Sequence, residues 1–213
     1  MSLEDTPVAT AAGIVYGQSI GWLGMVLTLP EYRGRGFARK VVSEVLERMP
    51  IDCVKLDATA MGAPLYREFG FVDERPIERW ERIGDSRLEA TSPTNCELDA
   101  EAFGHPRPAL ISALQRDGHS WQLDDGSFLL TRPGARATYL GPFTARTSLA
   151  AEQLIAKVQG TAFWDLFPEN VAARELASRS GFRPVRELIR MRKGKHFEGA
   201  IDLQFGVAGF EYG

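Results

Sequence analysis

An apolar run, Met25 to Leu29, stops at Pro30 and gives way within three residues to Arg33-Gly34-Arg35-Gly36, directly ahead of a helical pattern. Proline cannot donate to a ladder, so it closes a strand. A helix start exposes unpaired N–H groups and the positive end of the macrodipole. Glycine at 34 and 36 lets the backbone come close to a bound group where a Cβ would obstruct it, and Arg33 and Arg35 add positive charge. Strand, proline, short loop and helix N-terminus together make an anion site. Successive converging N–H groups suit a diphosphate better than a single carboxylate. The spacing is not the dinucleotide fingerprint, and the Gly-Lys-Ser/Thr ending of a P-loop is absent.

The elements around this segment alternate. Val8 to Tyr16 and Ile20 to Leu29 are β-type runs joined by Gly17-Gln18-Ser19, which reads as a hairpin. From Ala38 to Met49 the apolar residues Val41, Val42, Val45, Leu46 and Met49 share one face, so the spacing predicts a helix. Cys53 to Leu56 reads as a strand, Gly62 to Phe69 as a helix stopped by Gly70, and Phe71 to Trp80 as a strand. That order is a mixed α/β unit. The polar stretch at 83–94 reads as a linker between a first domain, 1–82, and a second, 95–213. In the second, strands are expected at Cys96–Leu98, Ser120–Leu123, Ser127–Thr131, Ala137–Leu140, Thr161–Phe167, Phe182–Met191 and within Ala200–Phe210. Helices are expected at Arg107–Asp117, Ser148–Gln159 and Asn170–Ser180. Leu65 to Phe71 aligns with Leu176 to Phe182, which marks an internal repeat carried more by element order than by letters.

Composition narrows the class. A net charge of −3 over 213 residues supplies no basic field for nucleic acid. The basic run Arg190 to Lys195 reads as a solvated surface or turn. Cys53 and Cys96 have no metal-ligand spacing, and His105, His119 and His196 lie far apart, so neither a zinc site nor a disulfide framework is expected. No apolar run reaches spanning length, and a cytoplasmic location is the default expectation.

Arg33-x-x-Gly36-x-Ala38 after Pro30 resembles motif A of the GNAT superfamily of N-acetyltransferases, and Leu65-Tyr66-x-x-x-Gly70-Phe71 resembles its motif B. The resemblance covers residues 6 to 80. It implies an acyl-CoA N-acyltransferase fold with two tandem GNAT-like units, the first lacking the family's opening strand and helices. It implies that Arg33, Gly34, Arg35, Gly36, Phe37 and Ala38 hold the pyrophosphate of acetyl-CoA. Met25, Val26, Leu27 and Thr28 would pair with the pantetheine arm, in a slot opened where this strand splays from Cys53–Leu56. Thr59 and Gly62, standing where the family has Asn and Ala, are the further cofactor contacts. Tyr66 matches the tyrosine that protonates the departing thiolate as a substrate amine attacks. In the second half Asn170-x-x-Ala173-x-x-Leu176 keeps the start of motif B, but Ala177 replaces the tyrosine. The loop Gly141 to Arg146 lacks motif A, so this half reads as a degenerate GNAT-like domain.

The implied activity is acetyl transfer to a primary amine of a small molecule or peptide, without a covalent enzyme intermediate. The alternative is a CoA-binding or scaffold protein without catalysis. Asp57, Glu31 and Asp73 are the candidate bases near the motifs. Each reads as a solvated carboxylate, so none is assigned. A sheet missing its first strands would leave an open edge, from which a homodimer is expected.

Overall fold

The computed structural model describes residues 1–3, 6–85, 87–88, 91–92 and 94–213. In chain order the main elements are β1 (Ala9–Tyr16), β2 (Ile20–Thr28), α1 (Phe37–Arg48), β3 (Cys53–Ala58), α2 (Ala63–Glu68) and β4 (Val72–Arg82). Then come α3 (Leu98–Phe103), α4 (Pro108–Asp117), β5 (His119–Gln122), β6 (Phe128–Pro133), β7 (Thr138–Thr144) and α5 (Ser148–Ile155). The chain closes with β8 (Ala162–Leu166), α6 (Val171–Arg179), β9 (Arg183–Gly194) and β10 (Gln204–Gly206). Of the proposed linker, Ser86, Glu89, Ala90 and Pro93 lie outside the described residues.

Two compact units interleave along the chain. Unit 1 comprises 1–74, 189–197 and 210–213; unit 2 comprises 75–188 and 198–209. In unit 1, β1 and β2 form the expected antiparallel hairpin, β2 runs parallel to β3, and β3 pairs antiparallel with β9. Along β3, Val54, Leu56 and Ala58 turn to one face and pack with Val42 of α1, Tyr66 of α2, Phe71 and Met191. Cys53, Lys55 and Asp57 turn to the other face, as strand alternation demands. Unit 2 repeats the pattern: β6 and β7 are antiparallel, β7 runs parallel to β8, and β8 pairs antiparallel with β4. Its core gathers Trp80, Phe143, Trp164, Leu176, Phe182 and Phe205.

The internal repeat is visible in bonding detail. Phe71 N–H donates to Tyr66 O at 3.1 Å, past Gly70 at φ +85°. Phe182 N–H donates to Ala177 O at 3.0 Å, past Gly181 at φ +83°. Both helices end in the same left-handed glycine stop.

Three expectations need correction. Cys96–Leu98 is no strand: Leu98, Ala102 and Phe103 fall at helical spacing and are buried, so the segment winds into α3. The helix from Ser148 ends at Ile155, because Lys157 N–H turns back to Leu154 O and Val158-Gln159 is extended. The strand expected within the apolar tail is present, at Gln204–Gly206. The basic run is not solvated at its start: Arg190 is buried at 5% exposure and Arg192 faces Glu74, since both lie on alternate positions of β9. Among the described residues no helix is long and apolar enough to cross a membrane.

Candidate active site

Pairing between β2 and β3 starts at Ile20↔Cys53 and stops at Trp22↔Lys55. From Leu23 onward the two strands part, and among the described residues no strand pairs with that edge of β2. The departure coincides with a bulge. The register of β2 against β1 shifts between Thr10 and Ala12, and Met25 sits there at φ +52°, its carbonyl accepting from Thr10 Oγ1 at 2.9 Å. An extra residue in one strand bends it and strengthens its twist, which turns β2 away from β3. Val26 packs into the core, while Met25 and Leu27 are exposed. Thr28 Oγ1 is buried without a hydrogen-bond partner among the described residues.

The end of β2 leads straight to the loop ahead of α1. Arg33 Nε donates to Thr28 O at 3.3 Å and ties loop to strand. Gly34 and Gly36 have φ of +74° and +79°, and the space where a Cβ would stand is open at both. The first bond of α1 runs from Lys40 N–H to Gly36 O. The N–H groups of Gly36, Phe37, Ala38 and Arg39 are therefore without partners among the described residues. Arg35 lies over the Tyr32 ring, 5.3 Å from its centroid. Open space at both glycines and N–H groups without partners at a helix N-terminus form an arrangement whose chemistry suits an anion such as a diphosphate.

Tyr66 lies on α2 and packs with Leu23, Leu56 and Phe71; its ring is 6.0 Å from that of Phe71, edge-on. Burial pushes its hydroxyl pKa up, and nothing among the described residues hydrogen-bonds that hydroxyl. Thr59 and Gly62 sit at the start of the same helix. Thr59 Oγ1 accepts from Gly62 N–H at 3.1 Å, and a Cβ on Gly62 would stand 3.4 Å from the Tyr66 ring.

None of the base candidates is poised at this slot. Asp57 is not a solvated carboxylate: Arg190 donates to it twice, at 2.8 and 2.9 Å, and its side chain is fully buried. Asp73 is held by Arg67, and Glu31 is exposed on the turn after Pro30. On the face of β3 away from α1, Lys55, Arg192 and His196 surround the buried Glu74. The residues 210–213 also lie on unit 1. Trp22 Nε1 donates to Phe210 O at 3.0 Å, Tyr16 Oη donates to Tyr212 O at 2.8 Å, and Glu211 stands against Gly24. Sequence reasoning missed these late residues as parts of unit 1. The one available signal was the alternation Arg190-Met191-Arg192, which marks a strand with one charged and one apolar face.

Unit 1 is thus a mixed α/β unit in which the parallel strands β2 and β3 part ahead of the N-terminus of α1, and unit 2 repeats its strand pattern. Residues 95–206 and 2–73 each match a family pattern described as an acetyltransferase (GNAT) domain. The chain belongs to the GNAT acetyltransferase family and is an acyltransferase of that family, whose members use acyl-CoA. It is 22% identical, over 233 residues, to the holothin acyltransferase of Pseudoalteromonas sp. (strain SANK 73390), with 99% of this chain and 79% of that protein aligned. A crystal structure from Pyrococcus horikoshii, provisionally assigned as an acetyltransferase, superposes with a TM-score of 0.86 at 26% identity, covering 99% of this chain and 78% of that one. A GCN5-related N-acetyltransferase from Sphaerobacter thermophilus shares the fold, with a TM-score of 0.59 at 16% identity over 91% of this chain and 80% of that one.

Proposed function

We propose that unit 1 binds acetyl-CoA and transfers its acetyl group to a primary amine of a small molecule by direct attack. The observation that carries this reading is the end of β2–β3 pairing at Trp22↔Lys55, beside the unpaired N–H groups at the start of α1. The relative named as an acyltransferase of holothin supports acyl transfer to a small molecule.

When bound, acetyl-CoA supplies the acyl group as an activated thioester. The loop from Arg33 to Ala38 holds the diphosphate through backbone N–H groups and the helix dipole. Met25, Val26, Leu27 and Thr28 present their open strand edge to the extended arm, as a strand edge accepts an added strand. Thr59 and Gly62 shape the wall at the start of α2. Tyr66 keeps a proton on its hydroxyl at neutral pH, because burial disfavours the phenolate. It would donate its Oη proton as a general acid to the thiolate released when the C–S bond breaks, while the amine that forms the new C–N bond would shed its own proton to water.

Thermal unfolding with and without acetyl-CoA tests the reading. Saturation at about 100 times Kd adds about 2.7 kcal/mol, a midpoint rise on the order of 5–10 °C for a chain this size. A panel of amines, followed by release of free CoA thiol, then defines the acceptor. Gly36→Glu places a side chain and a negative charge in the cradle and removes the rise. An unchanged midpoint in the unmodified protein rejects the assignment.

A further inference from the structure

Unit 2 carries the same splay, and something already lies in it. Pairing of β7 with β8 ends at Leu140↔Trp164, and β7 bulges at Gly141-Pro142 before its register resumes at Phe143. Tyr139 is opposite Phe163, two residues before Asp165; Trp22 is opposite Lys55, two residues before Asp57. By this register Phe143 and Thr144 are the counterparts of Val26 and Leu27. In unit 1 no strand among the described residues pairs with that edge; in unit 2 it is paired with β10, Phe143 with Gly206 and Thr144 with Gln204.

The occupant bonds both sides of the splay. Ala145 N–H donates to Leu203 O at 3.1 Å on the β7 side, and Val207 N–H donates to Asp165 O at 2.9 Å on the β8 side. Trp164 Nε1 donates to Phe205 O at 2.7 Å. Phe205, Val207 and Ala208 are each 2% exposed. The fit leaves no slack, since a Cβ on Gly141 would lie 1.8 Å from Val207 O. Asn170, which opens motif B of this half, caps α6 through Ala173 N–H. Its Nδ2 donates to Ile201 O and Gln204 O, each at 3.0 Å. At the start of α5, Thr147 Oγ1 caps Ala150 N–H, and the preceding Arg146 N–H is taken by Ser127 Oγ; the cap of α1, Gly36, has no side chain to do the same.

We propose that the chain itself fills the cofactor slot of unit 2 with residues 201–209, anchored by Asn170, so that each chain holds one acyl-CoA, in unit 1 alone. A bound arm would have to displace β-ladder bonds and a buried aromatic side chain together, and each lost backbone partner in a buried site carries a desolvation cost. The domain that matches the family over the longer stretch, 95–206, is thereby the one without a cofactor. This proposal rests on the acetyl-CoA reading of unit 1.

Titration calorimetry of the full chain with acetyl-CoA, paired with hydrogen exchange, tests it. The expected result is one site per chain, and none in Gly36→Glu. Exchange at 26–28 slows on adding acetyl-CoA, while 143–145 and 204–207 are protected beforehand and do not respond. Two sites per chain, a site surviving in Gly36→Glu, or a response at 143–145 overturns the proposal. Absence of all binding in the unmodified chain refutes the reading of unit 1 instead. Asn170→Ala speeds exchange at 201–207 and leaves the affinity of the unit 1 site for acetyl-CoA within about twofold; unchanged exchange at 201–207 in that variant overturns the anchoring by Asn170.

Discussion

Arg190 stands directly opposite Asp57, on β9 and β3, and grips its carboxylate with two hydrogen bonds although 133 residues separate them in the chain. The guanidinium also lies over the Trp22 ring, 4.6 Å from its centroid. Unit 2 contains the same device: Arg79 of β4 faces Asp165 of β8 with two bonds of 2.7 and 2.6 Å, over the Tyr139 ring at 5.0 Å. In each unit a central strand buried on both faces carries a carboxylate, and a strand from elsewhere in the chain supplies its arginine.

Removing one partner of such a pair strands a buried charge. Arg190→Met is expected to destabilise the protein by about 3–5 kcal/mol, and Asp57→Leu combined with Arg190→Met to recover most of that loss. Denaturant titration of the two variants decides it. Equal stability of the single variant and the parent would show that the pair contributes nothing.

Tyr66→Phe is expected to leave acetyl-CoA affinity nearly unchanged and to lower kcat by about 10²–10⁴-fold. Burial raises the Tyr66 pKa above its ordinary value near 10. The acid form is therefore full at neutral pH and is lost only as pH climbs past the raised value. An alkaline fall in kcat that begins well below pH 10 and persists in the Phe variant belongs to another group.

Gly24 lies one residue before the bulge at Met25, and a Cβ there would come within 3.2 Å of Glu211 Cα. Gly24→Val should push residues 210–213 off β2 and cost about 1–3 kcal/mol, the usual range for overpacking. Trp22 reports it, because its indole N–H bonds Phe210 O. An unaltered tryptophan spectrum with an unaltered midpoint would mean that the tail yields without cost.

Both cysteines should resist alkylation in the folded protein at pH 8. Burial raises the Cys53 thiol, and it pushes Cys96 up to about 11, so neither forms the reactive thiolate. The sign for stability follows: the contribution of a neutral Cys96 is complete below the unfolded thiol value and is lost as pH rises toward 11. Mass spectrometry after iodoacetamide treatment, with and without denaturant, reads both sites. Labelling of either thiol in the native protein would contradict the buried assignment.

The sequence by itself determined what depends on neighbours in the chain. Pro30 ended a strand, Gly34 and Gly36 adopted left-handed turns before α1, Gly70 and Gly181 stopped equivalent helices, and apolar spacing placed the core face of α1. These are local sterics and periodicity, so they can be read from adjacent residues. Tertiary structure alone decided which strand lies beside which. It carried Arg190 and Arg192 from an apparently solvated run to buried carboxylates in unit 1. It also laid Gln204–Gly206 against Phe143 and Thr144, while no strand among the described residues pairs with the matching edge at Val26 and Leu27. Strand pairing joins residues far apart in sequence through backbone groups that every residue shares. No spacing of side chains announces the partner, and only the fold shows which strand edge is paired.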